Sequence, residues 1–257
     1  MQFLKLFKRV LRGFTDHQYG ENETIYDKYK VKAVLGMGSY GMTYLCENVE
    51  EKQLCVVKQM TKSKKKTLIR KQYQTETEIL EQLSHPNIPR FYERFTFENN
   101  NLFSMEYIEG ENLEDLIFSK KKRFNEKESL VLIRDLLHIV SYIHTKGIIH
   151  GDLRIPNVMI RNGEPCIIDF GLSEPCSVKN KDSLPMEDFF DLGDLLLFLL
   201  YSSYNSTIKK GRPWTEELSI HERTSQLLKN LLGVDESYTY TSDVLHDVNQ
   251  AIESISN

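Results

Sequence analysis

The chain has 257 residues, 40% hydrophobic and 27% charged, enough for one large domain or two small lobes with a real core. Its 33 basic and 37 acidic side chains leave a net charge of -4, so no overall field argues for nucleic acid. Four cysteines (Cys46, Cys55, Cys166, Cys176) form no CxxC pair and read as reduced thiols, while no stretch approaches the roughly 18 apolar residues of a spanning helix and no secretory h-region opens the chain, so a cytoplasmic protein is expected.

In chain order, residues 3–14 come first. Phe3, Leu4, Leu6, Phe7, Val10, Leu11 and Phe14 fall on one side of a helical wheel, with Lys5, Lys8, Arg9 and Arg12 opposite. This predicts a basic amphipathic helix that packs on the domain, a membrane surface or a partner protein. A polar linker follows, so residues 1–24 are set apart from a domain over 25–257. Short β-rich runs at Tyr29 to Leu35, Thr43 to Glu47 and Leu54 to Met60 predict an antiparallel sheet. A helix-forming stretch then runs to Leu83, where Ser84, His85 and Pro86 stop it, and two more strand-like runs flank Glu98 to Asn101. Beyond Gly110 the pattern turns helical, at Asn112 to Phe118, Glu126 to Thr145, Asp188 to Tyr204 and Thr224 to Leu232. The fold class is therefore α+β and bilobal: a five-stranded small lobe over 25–105, a connector over 106–111 and a mainly helical lobe over 112–257.

Gly36-Met37-Gly38-Ser39-Tyr40-Gly41 lies between two predicted strands, where glycines let backbone N–H groups approach phosphate oxygens. A strand rather than a helix follows, which excludes the dinucleotide-binding reading; a plain glycine-rich hairpin stays open. Lys58 ends the apolar run Cys55-Val56-Val57 and could be an ordinary edge lysine. Glu76 shares a helix face with Leu80 and could face Lys58. His150-Gly-Asp-Leu-Arg-Ile-Pro-Asn157 is followed twelve residues later by Asp169-Phe-Gly171. Phosphoryl transfer needs a carboxylate for the attacking hydroxyl and hard oxygen ligands for Mg²⁺, and Asp152, Asn157 and Asp169 are the right types.

This ordered set resembles the eukaryotic-like (Hanks-type) serine/threonine protein kinases of bacterial type, over about Tyr29 to Leu245. The resemblance implies a protein-kinase-like fold, ATP with Mg²⁺ (or Mn²⁺) and a protein hydroxyl as acceptor. It makes Lys58 the α/β-phosphate contact, Glu76 its ion-pair partner, Asp152 the catalytic base, and Asn157 and Asp169 the metal ligands. Nucleotide contacts fall on Gly36 to Gly41, on Val56 above the adenine, on the backbone of Glu106 and Ile108, and on Glu111 or Asn112 at the ribose. His150 becomes a packing residue and Asp188 the buried helix aspartate that braces the catalytic loop; His144 reads as structural. Two departures stand out. Gly151 occupies the family's arginine position, and only eighteen residues separate Asp169 from Asp188 with no Ala-Pro-Glu among them, so phosphorylation of Ser173, Ser177 or Ser183 in the activation segment is expected to matter little. His-Gly-Asp also resembles small-molecule phosphotransferases, and a weakly catalytic nucleotide-binding module is a third reading. Arg154, two after Asp152, can place positive charge near the transferred phosphoryl group.

Overall fold

The computed structural model describes residues 17–38, 40–62, 66–176, 186–204 and 212–256. The amphipathic stretch over 3–14, Ser39, Ser177 and Ser183 lie outside them. Among these described residues, those from 17 to 84 with 89–107 make one compact unit, and those from 85 to 88 with 108–256 a second.

Among the described residues the first unit is an antiparallel sheet with one helix. Its strands are β1 (Thr24–Ile25), β2 (Tyr29–Met37), β3 (Gly41–Asn48), β4 (Leu54–Met60), β5 (Phe91–Phe97) and β6 (Asn100–Glu106), in the order β1-β2-β3-β4-β6-β5. β3 alternates in burial residue by residue, with Met42, Tyr44 and Cys46 inward, as a half-buried strand should. β4 sits between two neighbours and is buried at six of its seven positions. The sheet holds six strands rather than the expected five. Asn22 N–H donates to Val31 O (2.9 Å) and Val31 N–H to Glu23 O (2.8 Å), so the segment read as linker zips onto β2. Tyr19 anchors it further: it is 3% exposed, its N–H donates to Tyr44 Oη (3.3 Å) and its hydroxyl to Glu98 (3.1 Å). Helix α1 (Lys66–Gln82) buries Ile69, Glu76, Ile79 and Leu80.

The second unit is mainly helical: α2 (Leu113–Phe118), α3 (Glu126–Thr145), α4 (Met186–Ser202), α5 (Trp214–Glu217), α6 (Glu222–Leu231) and α7 (Thr241–Ser256). α3 starts at a capping box in which Glu128 N–H donates to Asn125 Oδ1 (2.9 Å) and Asn125 N–H to Glu128 Oε2 (2.8 Å). α4 buries Phe189, Leu192, Leu195, Leu196, Leu199 and Leu200, and α3 packs on both α4 and α7. The final helix α7 was not among the expected elements; Val244, Val248 and Ala251 give it a fully buried stripe at helical spacing. Two small ladders complete the unit: β7 (Glu111–Asn112) and β10 (Glu164–Ile167) flank β9 (Val158–Arg161), and β8 (Ile148–Ile149) pairs with β11 (Glu174–Pro175). His85–Ile88 belongs here rather than with the sheet, because Asn87 O accepts from Ile167 N–H (3.0 Å), Asn87 Nδ2 donates to Pro165 O (2.8 Å), and the His85 ring lies 5.0 Å from that of Tyr142.

No helix among the described residues is long and apolar enough to cross a membrane.

Candidate functional site

Each unit carries its own constellation of the residues singled out from sequence. In the first, β2 and β3 pair from Tyr29 to Met42, and the turn between them closes with Gly38 N–H donating to Gly41 O (2.9 Å). A Cβ at Gly41 would stand 1.9 Å from the Gln59 carbonyl oxygen, so packing of β3 on β4 alone demands that glycine. Gly36 and Gly38 have nothing within 4 Å of an added Cβ among the described residues, so crowding there does not require a glycine. Met37 is exposed at 36% and Tyr40 is half-buried.

Lys58 lies on β4 opposite Thr43 of β3 and Phe103 of β6. Its Nζ is 2.6 Å from Glu76 Oε1 of α1, the two side chains being 10% and 1% exposed. The strand lysine and the helix glutamate are therefore brought together, while Glu78, two residues on, faces solvent. Val56 is 6% exposed and sits in register with Met105. Glu106 ends β6, its N–H donating to Arg90 O (2.8 Å).

In the second unit the loop from His150 to Asn157 is built on two acids of α4, Asp188, which is buried, and Asp191, which is half-buried. Asp188, with no exposed surface, accepts from His150 N–H (3.0 Å), Gly151 N–H (2.8 Å) and His144 Nε2–H (2.8 Å), and His144 Nδ1 stands 2.9 Å from Thr241 Oγ1. Burial pushes the Asp188 carboxyl up, but the bond from His144, the nearby His150 and the two amides outweigh it and hold its pKa below the ordinary value. Gly151 adopts φ +72°, and a Cβ there would come 3.1 Å from Leu172 O. A glycine suits both constraints. His150 is fully buried, its ring 4.8 Å from Phe170, and burial holds its pKa below 6.5.

Asp152 is gripped from two sides. Arg154 Nε and Nη2 donate to its two carboxylate oxygens, the latter at 2.9 Å, and Asn157 Nδ2 donates to its Oδ2 and to its backbone O, both at 2.8 Å. The guanidinium of Arg154 is thus a fork on Asp152. Ile168 N–H donates to Asn157 O (2.9 Å), so Asn157 and the residue preceding Asp169 meet where the β9–β10 ladder ends. Asp169 takes a left-handed φ of 63° and its Oδ1 accepts from Gly171 N–H (3.2 Å). Ser173 is 5% exposed and its hydroxyl donates to His150 O (3.0 Å); Cys176 N–H donates to Gly147 O (2.7 Å).

Around the connector, Ile108 is buried and Glu111 is exposed and ion-paired with Lys120. Asn112 caps α2 through Oδ1 at Glu114 N–H (2.9 Å) and donates through Nδ2 to Pro156 O (2.7 Å), which leaves its Oδ1 one acceptor position. Sequence reasoning missed Asp191, whose Oδ2 accepts from Leu153 N–H (2.8 Å). Its signal was the spacing of three from Asp188 on a helix.

Comparison with known proteins gives one consistent answer. The family model described as protein kinase domain matches residues 29–190. The chain is 39% identical to a probable serine/threonine-protein kinase, YbdM, of Bacillus subtilis over 98% of this chain and 99% of the relative. It is 30% identical to serine/threonine-protein kinase D of Synechocystis over 58% of this chain and 31% of that longer protein. Its fold matches the kinase domain of Mycobacterium tuberculosis PknI with a TM-score of 0.69, at 17% identity, over 94% of this chain and 100% of that one.

Proposed function

The chain belongs to the protein kinase family, and from that premise we propose that it transfers the γ-phosphate of ATP, with Mg²⁺, to a serine or threonine hydroxyl of a protein. The observation that carries the reading is the double hold on Asp152 by Arg154 and Asn157. A carboxylate offers roughly four acceptor positions, and the three N–H groups leave one for an incoming hydroxyl. Asp152 then orients that hydroxyl and takes its proton, and Arg154 fixes the carboxylate's direction. Asn157 donates through Nδ2, which leaves Oδ1 as its metal-binding atom; with Asp169 it forms the hard oxygen set that suits Mg²⁺. The metal supplies charge neutralisation at the phosphates. Lys58, held by Glu76, supplies the cation for the α- and β-phosphates, and the open glycines Gly36 and Gly38 leave room for phosphate oxygens against backbone N–H groups. Val56, the backbone of Glu106 and Ile108, and Glu111 or Asn112 complete the nucleotide contacts.

The family match to a protein kinase domain argues against a metabolite acceptor. The weakly catalytic alternative is decided by experiment. Purified chain with radioactive ATP and Mg²⁺ should label itself or a generic protein on serine or threonine, and Asp152→Ala should lose at least a hundredfold in rate. Equal labelling by both forms would overturn the reading. In the same assay Ser177→Ala with Ser183→Ala should stay within threefold of the parent, since Gly151 offers no guanidinium to a loop phosphate; a tenfold loss would show that the loop is a switch.

A further inference from the structure

Helix α4 presents two acids to the catalytic loop. Asp188 and Asp191 lie three residues apart, so they share a helix face. Following the loop's amides one by one, His150 and Gly151 donate to Asp188, and Asp152 N–H donates to His150 Nδ1 (3.3 Å). Leu153 N–H donates to Asp191 (2.8 Å) and Arg154 N–H to Asp152 O (2.9 Å). Asp188 therefore fixes the chain before Asp152, and Asp191 fixes it after. Without Asp191, the peptide that joins Asp152 to Leu153 has no acceptor on α4, and both the carboxylate and the arginine fork hang from that peptide.

We propose that Asp191 is a positioning residue for phosphoryl transfer, holding the Leu153 amide so that the Asp152 carboxylate and its Arg154 fork point in a fixed direction. The proposal rests on the reading of Asp152 as the base. Its placement is energetically costly. Burial, followed by the charges of Asp188 and Asp152, pushes the Asp191 carboxyl up, against the pull of Leu153 N–H and of Arg154. An acid kept beside two other acids needs a return, and the returns visible here are the Leu153 hydrogen bond and the electrostatic attraction of Arg154. Both act on the segment that carries Asp152.

The test compares Asp191→Ala with Asp191→Asn, which keeps an acceptor oxygen for Leu153. With Asp191→Ala, kcat should fall at least tenfold while KM for ATP stays within twofold. With Asp191→Asn, kcat should recover to within threefold of the parent. Amide hydrogen exchange across residues 150–156 of the nucleotide-free chain should accelerate at least tenfold in Asp191→Ala and stay near the parent rate in Asp191→Asn. A parent-like kcat for folded Asp191→Ala would overturn the proposal, and so would equal impairment of the two variants. If Asp191→Ala fails to fold, Asp191→Ser, too short to reach the amide, takes its place with the same expectations. If the parent chain and Asp152→Ala prove equally inactive, the reading of the base fails, and exchange still decides whether Asp191 holds the loop; unchanged exchange in the variant sinks it.

Discussion

The two constellations hold their charges by different means. In the first unit Lys58 and Glu76 hold each other: a strand cation meets a helix anion at 2.6 Å, both largely buried. In the second, Asp152 is aimed by its backbone, whose amides end on two acids of α4. Side-chain pairing makes two residues act as one, whereas a backbone mount spreads the work over residues that never meet a substrate. Losses should therefore fall mainly on turnover in the first case, and on stability as well as turnover in the second.

The largest effect is expected from Asp188→Ala. It leaves two loop amides and the His144 imidazole without their acceptor, and removing one partner of a buried charged network costs about 3–5 kcal/mol. Since about 1 kcal/mol moves the melting temperature of a chain this size by roughly 2–4 °C, thermal denaturation should show a drop of about 10 °C. A shift under 2 °C would mean that the loop is held some other way.

Next come Lys58→Ala and Glu76→Ala, each expected to slow phosphoryl transfer about a hundredfold, or about 2.7 kcal/mol of barrier. If the pair acts as one device, the double variant should be little worse than either single one. Additive losses near ten-thousandfold would show that the two residues work independently.

The smallest effect concerns pH. Burial holds His150 below its ordinary 6.5, so below that pH the unfolded chain takes up a proton that the native loop refuses. Stability should therefore decline as pH falls from about 6.5, with a slope of at most about 1.4 kcal/mol per pH unit from this group. His150→Phe should remove that part of the slope in denaturant titrations at pH 5 to 7. A slope identical to the parent's would show that His150 is not the group refusing the proton.

Much of this arrangement was legible in the sequence because its chemistry is carried by local strings. Gly36 to Gly41, Lys58, His150 to Asn157 and Asp169 to Gly171 announce themselves by residue type and order, and the Lys58–Glu76 contact followed from helix facing. What stayed hidden depends on which backbone groups a side chain meets after folding. Asn112 stood in the sequence only as a ribose candidate, and folding gives its amide a helix cap and a bond to Pro156 as well. Asp191 looked like one more helix acid until α4 docked under the loop. Thr24 read as the end of the linker and Ile25 as the start of the domain because two residues carry no periodicity, and only pairing with β2 makes them a strand. Gly41 joins the nucleotide-loop pattern on paper, but a strand neighbour would exclude any side chain there regardless of ligand.

Cys46 and Cys55 face each other across β3 and β4, both buried and free. Burial pushes the Cys55 thiol up to about 11 and the Cys46 thiol up as well. At neutral pH the Cys55 thiolate is therefore scarce, and a reagent also has to reach it through the packed face of the sheet. Alkylation of these two positions consequently measures how often the first unit opens. Cys166 sits equally buried in the second unit, so the chain carries, without any engineering, a separate chemical clock in each half for reading their local opening rates.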